Sequence, residues 1–239
     1  MDIRDRVISA VSRHLGDDSN KSGDVLYNGW DTLRQSNGLY IMGLNPGGKP
    51  DEIKTSVVDS LTELKDNHCS YEDECWRKSC QDCRNKEHLG QSRHQSRVKQ
   101  LAQVLGYNNI REAFAANAIF IRSKNQGDIQ ESSFEKCWLI HQLFLSIVQP
   151  KIILCLGNGK RSSSFAFLRK KLVPNEQSNS DVVKVFSTAI TVSGGEIIKT
   201  CVIGVRHPSC PWFDPVKDLS LYLGGFKFQV QRVNNDAVA

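Results

Sequence analysis

A chain of 239 residues is long enough for one α/β domain with a full core and scarcely long enough for two. Its 39% hydrophobic and 24% charged residues are those of an ordinary soluble globule, and no apolar run approaches the roughly 20 residues that cross a bilayer. The balance of 31 Lys+Arg against 26 Asp+Glu leaves +5, which permits a polyanionic partner without demanding one.

In chain order, Ile3, Val7, Ile8, Val11 and Leu15 mark one face of an N-terminal helix. The first twenty residues are charged and amphipathic, with no apolar signal core, so the expected compartment is the cytoplasm. LYIMGL (39–44) reads as a buried strand, broken by Pro46 and the glycine pair Gly47-Gly48. Residues 49–90 lose clear periodicity and form an irregular, cysteine-rich insertion in what is otherwise one domain over 1–239. A helix resumes near Ser96, with Val98, Leu101, Ala102 and Leu105 on one face and Gly106 as its stop.

AFAANAIFIR (113–122) is a second buried strand. Ser132 and Glu135 fit a capping box for the next helix, where Phe134, Trp138, His141, Leu145 and Val148 repeat at helical spacing; Pro150 ends it. KIILCLG (151–157) is a third strand, and a polar GNGKRSSS stretch leads to a helix over about 165–172. VVKVF (182–186) reads as a short edge strand and IIKTCVIGV (197–205) as a firmer one, followed by RHPSCPWFDP and a last helix after Pro215. Continuous apolar strands separated by helices predict an α/β fold, a three-layer α/β/α sandwich around a central, mainly parallel sheet. In such sheets ligands bind at the carboxyl ends of the strands, and that is where GLNPGG, Arg122-Ser-Lys-Asn, GNGKRSSS and HPSCPW fall.

GLNPG (43–47) and HPS (207–209) resemble the two signature motifs of the uracil-DNA glycosylase superfamily. The asparagine in the first motif is similar to the mismatch-specific and single-strand-selective branches. FAANAIFIRSKN resembles the strand whose Asn binds the flipped base, and KIILCLGNG resembles the strand and phosphate-contact loop that follow. The resemblance covers most of the chain in the right order and leaves 49–90 outside. It implies Asn45 and His207 as catalytic residues, and base contacts from Asn117, Gly47 and Gly48. It further implies DNA contacts from Pro208, Ser209, Trp212, Phe213, Lys160, Arg161 and Ser162. The partner is then double- or single-stranded DNA with a flipped pyrimidine, met by a monomer away from any membrane.

The residue chemistry supports this independently. Hydrolysis of an N-glycosidic bond passes through a sugar of oxocarbenium character and a departing base anion. That path needs a positioned water and a donor aimed at the charge growing on the base. An amide such as Asn45 orients water but accepts protons poorly, and His207 is the donor candidate. Asn117 offers a donor and an acceptor to a base edge, while an apolar Trp212-Phe213 wedge would unstack the duplex. Each residue also has a plainer reading. Asn-Pro-Gly is a common turn, Asn117 a satisfied core amide, Trp212 and Phe213 a cover for the sheet edge, Lys160 and Arg161 a solvated helix start, and His141 a core histidine.

Eight cysteines without a secretion signal read as reduced thiols or metal ligands. Cys69, Cys75, Cys80 and Cys83 are a candidate structural zinc set, with an iron–sulfur cluster or free thiols as alternatives; no cofactor is expected for catalysis. Members of the family selective for uracil carry a bulky residue soon after the first motif, where this chain has Gly48-Lys49-Pro50, and Cys210 replaces the usual proline after HPS. The expectation is a monofunctional DNA glycosylase with a pocket wide enough for a 5-substituted cytosine of phage DNA, in antiviral defence. The alternatives are a uracil-excising repair enzyme and a catalytically silent DNA-binding relative. An unrelated α/β hydrolase has no G-x-S-x-G elbow, Walker loop or dinucleotide fingerprint to support it.

Overall fold

The computed structural model describes residues 2–34, 38–76, 88–160, 162–173, 183–192 and 195–220. Five strands form one sheet: β1 (Leu39–Gly43), β2 (Phe114–Asn117), β3 (Ile152–Leu156), β4 (Val183–Thr191) and β5 (Ile197–Val205). Their order across the sheet is β2-β1-β3-β5-β4, parallel throughout except for the β4–β5 hairpin. The chain steps from β1 to β2 on one side and returns to β3 on the other. The topological switch point therefore lies between the carboxyl ends of β1 and β3, where open α/β sheets bind ligands.

Side chains alternate across the pleat and meet two helical layers. Tyr40, Met42, Phe114, Ala116, Ile153, Cys155 and Val202 face one core with α1 (Ile3–Leu15), α5 (Glu131–Val148) and α6 (Ser164–Leu172). Leu39, Ile41, Ala115, Leu154, Leu156, Ile203 and Val205 face the other, against α4 (Arg93–Val104), Phe213 and Leu219 of a helical stretch over 215–220. This is the expected three-layer α/β/α sandwich with a mainly parallel sheet. Among the described residues, no helix is long and apolar enough to cross a membrane.

Local signals explain most element boundaries. α4 opens three residues before Ser96 because Ser92 and Gln95 form a reciprocal capping box. The box expected at Ser132 and Glu135 does not form: α5 begins at Glu131 and its N-cap, Gln130, makes no side-chain capping bond. β4 extends to nine residues because antiparallel pairing with β5 continues from Val183↔Val205 to Thr191↔Ile197.

Two further departures from expectation matter for the site. Residues 49–90 are not irregular throughout, since they contain α2 (Val57–Thr62) and α3 (Ser70–Asp73). Val57 and Leu61 are buried in one core and Cys69 and Tyr71 in the other, so this region belongs to the layers it was expected to interrupt. Residues 22–28, which the sequence left unassigned, run beside the end of β2 through the bridges Gly23↔Ile121 and Leu26↔Ala116.

Candidate active site

The first motif and the end of β2 are fastened to each other. Beyond the paired Gly43 and Asn117, the Ala118 and Ile119 amides donate to the Gly43 and Leu44 carbonyls, both at 2.9 Å. Asn45 stands half-buried just past the strand end. Its Nδ2 donates to Ser123 Oγ at 3.0 Å and to the Pro46 carbonyl at 3.3 Å, which leaves Oδ1 to accept from a water. Arg122 Nη1 donates to the Gly47 carbonyl at 3.0 Å and ties the loop to the residues beyond β2.

Asn117 is only 3% exposed, and its Nδ2 has no hydrogen-bond partner. Its Oδ1 lies against Gly43, where a Cβ would clash with it, so the amide nitrogen is turned away from β1. The Tyr27 hydroxyl lies beside this carboxamide without completing a well-formed hydrogen bond to it. Tyr27 is itself pinned: its amide donates to the Ala115 carbonyl at 2.9 Å, and its carbonyl accepts from the Ser70 amide at 2.8 Å. A buried amide donor without a protein partner is unusual, and at a strand end beside an aromatic ring it suits a ligand acceptor.

From Tyr27 a wall of rings leads toward the second motif. Trp76 meets Tyr27 edge-on at 5.6 Å, and His94 lies 5.6 Å beyond Trp76 and 5.0 Å from His207. Glu74 fixes the indole by accepting from its Nε1 at 2.6 Å. Arg97, one turn along α4 from His94, clamps the turn after His207. It donates to the carbonyls of Pro208 (2.9 Å), Cys210 and Pro211 (3.4 Å). The Ser209 amide donates to His207 Nδ1 at 3.3 Å, an arrangement that assigns the ring hydrogen to Nε2. Burial holds the His207 pKa below its ordinary value, so the ring is a neutral donor near pH 7. His94 is pushed down to about 3, first by burial and then by the His207 charge.

One strand, β3, separates the ends of β1 and β5, so two spacings of about 4.8 Å put the two motifs roughly 10 Å apart at backbone level. Between them β3 ends at Leu156 and runs into Gly157-Asn158-Gly159. Several groups along this edge retain accessible surface while burial shifts their pKa: Asp24, Tyr27, His94 and His207. Tyr27, Trp76, His94 and His207, joined ring to ring, form one wall of a recess at this edge. Asp24 is pushed up to about 7, first by burial and then by the Glu74 charge, against the pull of Arg122, His68 and the Val25 amide.

The other expected site residues divide. Gly47 is open on its Cβ side, whereas Gly48, at φ +88°, leaves room that Ile53 occupies. The absence of a bulky residue at 48 therefore does not by itself widen the recess. Pro208 is buried and Ser209 exposed within the clamped turn. Lys160 is exposed and Ser162 half-buried ahead of the α6 N-cap, Ser163; Arg161 lies outside the described residues. Trp212 is 85% exposed, but Phe213 is 1% exposed in the core beneath the sheet. Phe213 therefore does not fit the expected two-residue wedge, because the turn at Cys210 directs it inward, its amide donating to the Cys210 carbonyl at 3.2 Å.

His141 is a core histidine. Its Nδ1 lies 2.7 Å from the Tyr40 hydroxyl and its Nε2 lies 3.1 Å from the Ala118 carbonyl. Of the cysteine set, Cys69 is fully buried, and burial pushes its thiol up to about 11. Cys75 is half-buried, and Cys80 and Cys83 lie outside the described residues. Among the described residues, no group of three or more His, Cys, Asp or Glu is arranged to hold a metal ion.

Sequence reading alone did not single out Asp24, Tyr27, Trp76, His94, Arg97 or Ser123. The available signal was a lone acid beside the apolar pair Val25-Leu26, which asks for a partner that only the fold supplies. In comparisons with known proteins, the chain matches no family model and no curated protein.

Proposed function

We propose that this protein is a monofunctional DNA glycosylase that holds an extruded pyrimidine in the recess and hydrolyses its glycosidic bond. The observation that carries the reading is the buried, unpartnered Nδ2 of Asn117, set beside an aromatic wall and flanked by the Asn45 and His207 loops. A flipped base would bring a carbonyl oxygen or ring nitrogen to that donor and a face to Tyr27 or Trp76.

In this mechanism the C–N bond breaks with its electron pair passing to the base. His207 Nε2–H hydrogen-bonds the base oxygen where that charge collects and keeps its own proton, as a neutral imidazole suits. Asn45 Oδ1 accepts a hydrogen bond from the attacking water, held in place because Nδ2 is tied to Ser123. The water oxygen bonds to the sugar, and its proton passes through solvent to the departing base. An exposed Trp212 takes the place left by the extruded nucleotide, and Lys160 contacts a backbone phosphate. The substrate proposed is a modified or aberrant pyrimidine, with 5-substituted cytosines of phage DNA as leading candidates. A structural zinc on Cys69, Cys75, Cys80 and Cys83 remains a subsidiary proposal, tested by metal analysis of the purified protein.

The test is incubation with single- and double-stranded oligonucleotides carrying uracil, 5-hydroxymethylcytosine or its glucosylated form, read by alkaline cleavage at abasic sites. Abasic sites from a cytosine derivative are the expected result. Cleavage only at uracil would make it a uracil-excising repair enzyme. Binding with no cleavage of any substrate would make it a silent DNA-binding relative.

A further inference from the structure

We infer that His141 is a positioning residue of the proposed site: its Nε2–H holds the Ala118 carbonyl and so fixes the bend that aims the Asn117 amide. The inference rests on reading Asn117 as the base-binding group, and it adds the buried device that sets the direction of that side chain.

The bend is written in the backbone. β2 ends at Asn117, and the chain bends over Ala118 and Ile119. Successive amides of a regular strand point to opposite sides. Here the Ala118 and Ile119 amides donate to the same neighbour, to the Gly43 and Leu44 carbonyls, both at 2.9 Å. The chain has therefore left the strand path directly after Asn117.

That departure puts the Ala118 carbonyl into the core, where Ala118 is 0% exposed. A buried carbonyl needs a donor. His141, reaching across from α5, supplies it with Nε2 at 3.1 Å from the Ala118 oxygen. A carbonyl only accepts, so Nε2 carries the hydrogen and Nδ1 of the neutral ring is an acceptor. The Tyr40 hydroxyl, 2.7 Å from Nδ1, donates to it and fixes that tautomer. Tyr40 stands on β1, the strand that delivers Asn45. One buried relay thus joins β1, α5 and the end of β2 beneath both asparagines.

The surroundings of the imidazole make its identity informative. The Phe120 and Phe144 rings lie 5.1 Å and 6.0 Å from it, in a core that a phenyl ring at 141 would fill as well. What phenylalanine could not do is donate to the Ala118 carbonyl. The histidine is therefore explained by that bond and not by packing.

The experiment uses His141→Phe, which keeps a ring and removes the donor, and His141→Gln, whose amide can restore it. His141→Phe should slow single-turnover base release by about tenfold or more with DNA affinity little changed, and His141→Gln should recover to within about threefold of wild type. Val148→Ala, a cavity in the same core and on the same helix, should lower the melting temperature yet leave release within about twofold. Hydrogen exchange gives a readout independent of activity. In His141→Phe the Ala118 and Ile119 amides should exchange faster by about tenfold more than the Ile153 and Leu154 amides of β3, because the loosening is local. NMR of the wild-type ring should find the hydrogen on Nε2, a test that needs no variant to fold. Wild-type release in His141→Phe, no recovery in His141→Gln, exchange that quickens evenly across the sheet, or a ring hydrogen on Nδ1 would each overturn the assignment. Abasic sites from the wild type with even exchange in His141→Phe would sink this inference alone. Locally quickened exchange in a protein that makes no abasic sites would sink glycosylase activity alone.

Discussion

Gly43 and Asn117 face each other in register across the β1–β2 pair, and a Cβ at position 43 would lie closer to Asn117 Oδ1 than real Cβ contacts allow. The glycine is therefore what lets the amide lie flat against β1 with Nδ2 turned outward. Gly43→Ala should fold at a cost of about 1–3 kcal/mol, because the clash falls on a side-chain end that can rotate. It should lose about tenfold or more in base release, since the rotated amide no longer presents its donor. Thermal melting and abasic-site assays on the same preparation check both numbers. A variant with wild-type activity would remove Asn117 from the pocket.

Asn45 and Ser123 should separate water positioning from binding. Asn45→Ala removes the acceptor for the attacking water, and we expect about a hundredfold loss in the single-turnover rate with DNA affinity by anisotropy little changed. Ser123→Ala leaves the amide in place but frees its Nδ2. That should cost only a few-fold, about the net worth of one hydrogen bond.

The second motif depends on α4. His207→Ala should lower the rate by about a hundredfold, with binding largely intact. Arg97 acts at one remove, as a positioning residue, by drawing three carbonyls of the following turn onto one guanidinium. Arg97→Lys keeps the charge but loses the fork, and about a tenfold fall in kcat with little change in KM is expected. A purely structural role would instead lower the melting temperature without that split.

What could be read in advance follows from how each signal is written. The strands are continuous apolar runs and the helices carry period-matched faces, so the sheet and both layers were legible from local pattern. Asn45, Asn117 and His207 stand out because each is polar at the end of such a run. Tyr27, Trp76, His94 and Asp24 leave no comparable trace: they are distant in sequence and meet only through the bridges of 22–28 to β2 and the docking of α4. Phe213 was misassigned for the complementary reason. Adjacent aromatics after a turn look alike in sequence, and only the backbone direction after Cys210 sends one outward and the other into the core.

Those two aromatics make opposite predictions. Phe213→Ala should destabilise the fold by about 3–5 kcal/mol through an unfilled cavity, read as a lower midpoint in urea. Trp212→Ala should leave that midpoint unchanged within about 0.5 kcal/mol, because its side chain is exposed. If Trp212 supports extrusion, its loss should slow excision from duplex DNA more than from a single strand, where no stacking need be broken. Equal slowing on both would end the wedge assignment.

Stability against pH carries two opposed contributions, and their signs test the electrostatics of the recess. Burial pushes His141 down from 6.5 to about 4, so the unfolded chain binds its proton first, and stability is lost as pH falls from 6.5 toward 4. Asp24 is pushed up from 3.8 to about 7, so the folded chain holds that proton more tightly, and stability is lost as pH rises from 3.8 toward 7. At about 1.36 kcal/mol per unit the Asp24 penalty would reach roughly 4 kcal/mol; because water still touches the carboxyl, about 2 kcal/mol is the better expectation. The two slopes oppose each other in the wild type between pH 4 and 6.5. Asp24→Asn should therefore raise the urea midpoint above neutral pH and unmask the histidine slope below it, with stability climbing steadily from pH 4 to 6.5. A variant no more stable than wild type at about pH 8 would show that Asp24 is ionised there without strain, and the raised proton affinity of the recess would fall with it.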